Sequence, residues 1–279
     1  MTMKIPITMC HGVNPKREPP LDAEHFEAYF RMAAELGFQS ISYDELAAWR
    51  AGRAGLPERP IMFDFDHPAL SIHTAIFPIM EKFGFRGNLF INTKPMEEIY
   101  AGNLQEDQNR QWMAWEEIGE LMAAGWLIGA HTHSHPNLSE LSTADPTGEQ
   151  LREELIRCDE ILNRELGIRP RDFAFTGTSW SSAAEQEVKK RYRFGRLWIV
   201  GAVYQADGHP IRYAELAGVE GEDEADGGPP FAARYITGDS NPYRLPSMEL
   251  ERLIYEYDAY RRYLEGALEP SRRGEGGDR

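Results

Sequence analysis

Two clusters in this sequence carry the residue types that hold a metal ion and move protons. The first closes "PIMFDFDHP" at 60–68, where a short apolar run ends in Asp64, Asp66 and His67. The second, "GAHTHSHPNLS" at 129–139, holds His131, His133 and His135, three of the eight histidines of the chain. Neutral imidazoles bind Zn²⁺ and related first-row ions, and a third histidine or a carboxylate completes a site that leaves a position for water. Such an ion lowers the pKa of that water toward neutrality and polarises a bound carbonyl. A carboxylate outside the ligand set can then take the water's proton. Any one of these histidines alone would read as a polar turn capping nearby backbone; the set reads as a hydrolytic centre.

Chemistry of this kind needs elements that end side by side. The chain opens on the β-rich "KIPITMCHGV", which places His11 at a strand end, and continues into "LDAEHFEAYFRMAAELGF", with helical spacing, Asp22 as N-cap and Gly37 just past the C-terminus. Strand and helix patterns then alternate: "FQSISYD", "ELAAWRAG", "PIMFDF", "LSIHTAIFPIMEKFGF", "RGNLFINT", "AWEEIGELMAAGW", "LIGAH", "PTGEQLREELIRCDEILNRELG", "DFAFTG", "SAAEQEVKKRYRFG" and "RLWIVGAV". This alternation predicts an α/β fold on a mainly parallel sheet, open or closed into a barrel. Both clusters then fall at C-terminal strand ends, where α/β folds collect their functional groups. "SMELERLIYEYDAYRRYLEGAL" reads as one final helix whose aromatic stripe packs on the core, with a contact between copies of the chain as the alternative. "EGEDEADGGPP" at 220–230 reads as a solvated loop. One domain is expected over residues 1–265, with a disordered tail at 266–279.

With 279 residues, 42% of them hydrophobic, the chain can bury a sizeable core. A net charge of −15 argues against nucleic acid or an anionic membrane surface as partner. The two cysteines, Cys10 and Cys158, are too few for a disulfide framework and are read as structural thiols. The N-terminus lacks the long apolar stretch of a signal peptide, and no apolar run reaches membrane-spanning length, so a cytoplasmic location is expected.

The second cluster, "AHTHSHPNLSEL", resembles the polysaccharide deacetylase signature His-Thr-x-Ser-His-Pro-x-Leu, and flanking segments from about residue 5 to 200 resemble the family in order. The resemblance implies a distorted, incomplete (β/α)7 barrel holding one divalent metal, with zinc favoured and cobalt, nickel or iron as alternatives. It assigns His131 and His135 as ligands, gives Thr132 and Ser134 the role of positioning the turn, and puts His133 at the variable middle place. The implied reaction is hydrolysis of a non-peptide C–N bond, removal of an acetyl group from an N-acetylated amino sugar or small glycan.

Several motifs depart from the family pattern. Thr-Phe-Asp-Asp-Gly is replaced by "FDFDHP". A gapless alignment makes Asp66 the general base and His67 the third ligand; an Asp-x-Asp alignment makes Asp64 the base and Asp66 the ligand, and strand alternation puts both aspartates on one face. No Leu-x-His motif supplies the general acid, but "TMCHGV" resembles the N-terminal segment of permuted relatives and nominates His11. "FAFTGTSW" replaces the usual oxyanion turn, which leaves Thr176, Gly177 and Thr178 for that role and offers Trp180 to stack on a sugar or to pack. Two other readings stay open: an amidohydrolase-type site with His131 and His133 as the ligand pair, acting on a cyclic amide or ureide, and an inactive family member serving as a binding module.

Overall fold

A computed structural model describes residues 3–16, 20–101, 111–177, 179–197, 235–251 and 254–269; the acidic segment 220–230 lies outside them. The sheet is built on β1 (Ile5–Cys10), β3 (Pro60–Asp66), β4 (Asn88–Ile91), β5 (Leu127–Ala130), β6 (Asp172–Ala174) and β7 (Phe194–Arg196). The short strands β2 (Gln39–Ser40), β8 (Tyr235–Ile236) and β9 (Met248–Glu249) complete it. Strand order is β7-β6-β5-β4-β3-β1-β8, with β2 beside β3 and β9 beside β1, and every pairing is parallel except β1 with β8.

The sheet is curled rather than flat. β7 and β3 are separated by three strands in the sheet order, yet Arg196 of β7 forms ion pairs with Asp64 and Asp66 of β3. Closure sorts the strand residues by parity. Ile61, Phe63 and Phe65 join the core between sheet and helices, whereas Met62 joins Ile5, Ile7, Tyr43, Phe90, Ala174 and Phe194 inside the barrel. Asp64 and Asp66 continue the line of Met62, so the interior runs from apolar to acidic toward the C-terminal mouth. The fold is the expected α/β class, a single incomplete (β/α) barrel.

Helices cover the outer face: α1 (Ala23–Glu35), α2 (Tyr43–Arg50), α3 (Phe77–Lys82, preceded by a π-helical turn at Ile72–Ile76), α4 (Lys94–Ala101), α5 (Trp115–Ala123), α6 (Leu138–Ala144), α7 (Glu149–Leu166), α8 (Ser182–Lys189) and α9 (Tyr257–Leu268). The Asp22 side chain caps α1 as expected, accepting from the His25 N–H. Two expectations are corrected at the C-terminal side. The "SMELERL" segment is not helical: Met248 and Glu249 pair with Thr8 and Met9, and the helix begins only at Tyr257. That helix runs through Leu268, so residues 266–268 belong to the domain rather than to a tail. Cys10 and Cys158 are buried free thiols. No helix among the described residues is long and apolar enough to cross a membrane.

Candidate metal centre and catalytic groups

Parallel pairing sets the strand ends level: Asp66 lies opposite Phe90, Ile91 opposite Ala130, and Ala174 opposite Arg196. The first residues past β3 and β5 are therefore neighbours at the mouth, and these are His67 and His131. The turn after β5 folds His135 back to join them, with one nitrogen from each of His67, His131 and His135 lying within 4.8 Å of the others. The backbone bends to achieve this. Among the described residues, His67, Thr132 and His135 are the non-glycine residues with positive φ, at 65°, 63° and 62°. That conformation is strained for side chains of this size and concentrates where function over-determines geometry. Within the turn, Thr132 Oγ1 accepts from the His135 N–H at 3.0 Å, and Ser134 Oγ donates to Glu154 at 2.6 Å.

The imidazoles are held for coordination. His131 Nδ1 is 2.8 Å from the Ala174 carbonyl oxygen, so it must donate, which leaves the Nε2 lone pair for an ion. His67 Nδ1 lies 2.8 Å from Asn92 Oδ1 and is fixed in the same sense. Burial lowers the pKa of all three; for His67 burial and the nearby His11 and His135 outweigh Asn92 and bring it down to about 4. Neutral, oriented imidazoles are the form that binds a divalent ion, and this donor set fits one.

His133 faces elsewhere. Its Nδ1 is 2.9 Å from Thr93 Oγ1, its Nε2 lies 3.8 Å from Glu97, and its N–H donates to Glu154. The pairing of His131 with His133 required by the amidohydrolase reading is therefore absent. A His133→Ala variant is expected to keep full metal stoichiometry after dialysis, measured by atomic emission; loss of the metal would reinstate that pair.

Asp66 sits beside the trio and is tethered by Arg196 Nη2. Burial alone would raise its pKa, but Arg196, and then His131 and His11, hold it well below the usual carboxylate range. Asp64 lies one layer deeper. Its Oδ2 accepts from Tyr43 at 2.6 Å and is 3.1 Å from Arg196 Nε, while its Oδ1 accepts from Asn88 at 3.0 Å. Burial outweighs these partners and pushes its pKa up to about 7. Asp64 as the general base is thus corrected: both its oxygens are committed beneath the mouth, and it braces Arg196 instead. Asp66 is likewise outside the cluster of potential ligand atoms that His67, His131 and His135 form.

His11, first past β1, stacks on His67 with ring centroids 5.3 Å apart. Its Nδ1 lies 3.3 Å from Glu251 Oε1. Burial pulls the His11 pKa down, but the hydrogen bond to Glu251 and the charges of Asp66, Glu251 and Glu249 outweigh it, and the net shift is upward. Gly12 must follow: its φ is 106°, and a Cβ there would lie 2.6 Å from Ser71 Oγ.

The expected oxyanion turn behaves differently. The Thr176 hydroxyl donates to the Pro136 carbonyl at 2.6 Å, clasping the turn that carries His135. Gly177 follows at a φ of 50°, and Thr178 lies outside the described residues. Trp180 as a sugar platform is corrected. It is fully buried, its indole N–H donates to Glu185 at 3.0 Å, and Arg244 covers its ring, so no face meets solvent. A different tryptophan reaches the site. Trp112 lines a groove of about 530 Å³ together with His11, His67, Asn14, Lys16 and Gln111. Main-chain bonds from Leu70 N–H to Gln111 and from Met113 N–H to Pro68 pin it there. Arg196, Asn92, Glu251 and Trp112 had no signal in local sequence pattern beyond, for Arg196, a charge inside an apolar strand.

Fold and site together define a curled (β/α)-barrel protein with a metal-competent histidine trio, a tethered aspartate and an acid-paired histidine at the barrel mouth. The family model for polysaccharide deacetylase matches residues 53–192, half of the chain, and the protein belongs to that family. The poly-beta-1,6-N-acetyl-D-glucosamine N-deacetylase of Escherichia coli (strain K12) is 21% identical over 190 residues, 58% of this chain. The aligned region spans only 28% of that relative's length. Among solved structures, the Streptococcus pyogenes deacetylase PplD in complex with acetate superposes with a TM-score of 0.67 at 15% identity, covering 97% of this chain and all of that one. IcaB from Ammonifex degensii superposes with a TM-score of 0.67 at 18% identity, covering 96% of this chain and 98% of that one. At these identities the structural matches speak to the fold.

Proposed function

We propose that the protein is a metal-dependent N-deacetylase that releases acetate from an N-acetylated amino sugar within a glycan. The observation that carries this reading is the convergence, on one sheet edge, of three neutral imidazoles, two of them oriented by ring hydrogen bonds, with an ionised Asp66 and a His11 held by Glu251. A divalent ion held by His67, His131 and His135, zinc suiting the donor set best, would polarise the acetamide carbonyl and acidify a water. Asp66, kept ionised by Arg196, accepts the proton of the attacking water. His11, stacked on His67 and lining the groove, gives a proton to the departing amine. Glu251 keeps His11 protonated for that step and fixes its ring. The groove beside Trp112 offers an aromatic wall for a sugar ring, and the membership of the family together with the named activity of the Escherichia coli relative favours an N-acetylglucosamine polymer or oligomer as substrate.

The test is acetate release from N-acetylglucosamine oligomers of β-1,4 and β-1,6 linkage by protein reconstituted with zinc, cobalt or nickel. Stoichiometric acetate and free amine are expected, abolished by chelation and restored by metal. Metal-loaded protein that binds these glycans yet releases no acetate would replace this reading with that of a binding module.

Glu251→Gln supplies a sharper check on His11. Without the carboxylate, burial dominates and the His11 pKa falls. A general acid is active when protonated, so the alkaline limb of the kcat/KM profile is expected to move to lower pH, with the ion of the histidine trio retained.

A further inference from the structure

A second metal-competent group adjoins the first. His11, Glu249 and Glu251 each offer one ligand atom, all lying within 4.8 Å of one another. The register of β1 with β9 creates this grouping: Met9 pairs with Glu249, so the residues two further along each strand direction, His11 and Glu251, arrive at the same level. One imidazole nitrogen with two carboxylates is a donor set that Zn²⁺ binds in open sites and that harder divalent ions also accept. Access is provided from the groove: the His11 side chain retains 35% exposure, whereas that of Glu251 retains 14% and Glu249 as a whole 2%. The group shares no residue with the trio, although the His11 and His67 rings are stacked 5.3 Å apart.

We propose that His11, Glu249 and Glu251 form a second, weaker divalent-cation site, and that filling it inhibits the enzyme. The inhibition rests on the reading of His11 as general acid; the binding does not. A cation here takes the histidine lone pair that must carry the proton for the amine, and it engages the Glu251 carboxylate that otherwise pairs with His11. Activity should therefore rise with the first equivalent of zinc and fall with excess.

The test is a zinc titration of metal-free protein by calorimetry, alongside activity measured over the same concentrations. Two binding phases are expected, the second coinciding with loss of activity. In Glu249→Gln the first phase should remain, the second should weaken by at least about tenfold, and the zinc concentration for half-inhibition, relative to the variant's own maximum, should rise in parallel. His11→Ala, assayed for binding alone, should also lose the second phase and keep the first. A wild-type protein lacking the second phase, or a second phase unchanged in both variants, overturns the site. A second phase that binds without inhibiting overturns the regulatory half. Absence of the first phase alone would instead count against the histidine trio.

Discussion

Replacing Asp66 by asparagine is expected to lower kcat by about 10²–10⁴-fold while leaving the metal in place. The expectation follows from the position of the carboxylate. Asp66 lies next to His67 in sequence but outside the cluster of ligand nitrogens, and its charge is held by Arg196 rather than by the ion. His67→Ala should behave oppositely, losing metal because two imidazoles remain where three were gathered. Metal analysis after gel filtration and acetate-release rates, run on both variants, separate the roles. Metal lost from Asp66→Asn but kept by His67→Ala would exchange the two assignments and restore the alignment in which Asp66 is the ligand.

Arg196→Met is expected to cost about 3–5 kcal/mol of stability near neutral pH, because it removes the cation that serves two buried carboxyl groups, Asp66 ionised and Asp64 partly so. Arg196 is fully buried, sits over the Phe90 ring, and reaches both Asp64 and Asp66. The pH dependence gives the cause away. In the variant both carboxyls are left with burial as the dominant influence, so their folded pKa values lie above those of the unfolded chain. Groups of that kind favour the folded state while protonated and penalise it as pH rises through their folded pKa. The deficit should thus be largest at pH 7 to 8 and shrink as pH falls toward 5, read by urea denaturation. A deficit independent of pH would mean that lost packing around the guanidinium stem, and not unbalanced charge, is responsible.

The gathering of His67, His131 and His135 could be read in the sequence because its geometry is local. His131 and His135 share one turn, and His67 is the first residue past a recognisable buried strand. The alternation in "PIMFDFD" likewise put Asp64 and Asp66 on one face, as their common partner Arg196 bears out. What alternation could not reveal was depth: which aspartate stands at the mouth depends on how far β3 extends beside β4, and Asp66 opposite Phe90 marks that edge. Arg196 and Glu251 were hidden for a different reason. Each meets its partner across more than 100 residues of chain, Arg196 with Asp66 and Glu251 with His11. The segment around Glu251 also carries continuous helical periodicity and strong helix formers. Pairing of Met248 and Glu249 with β1 overrides that local preference, a tertiary effect that propensity does not contain. The two tryptophans show the same limit. Trp180 and Trp112 both sit in short polar-aromatic stretches, and only packing sends one under Arg244 and the other to the groove.

The placement of β9 against β1 also bears on how the working centre comes together in time. All three imidazoles belong to residues 67–135, whereas His11 meets Glu251 only when the β9 segment docks, a closure of 240 residues. Long closures form late, after shorter-range contacts have already been made. The histidine trio can therefore gather on a partly assembled barrel, and the His11–Glu251 pair is completed only at the final docking step. On the proposed mechanism, fraying of that same segment in the finished protein would silence turnover while leaving the histidine trio intact.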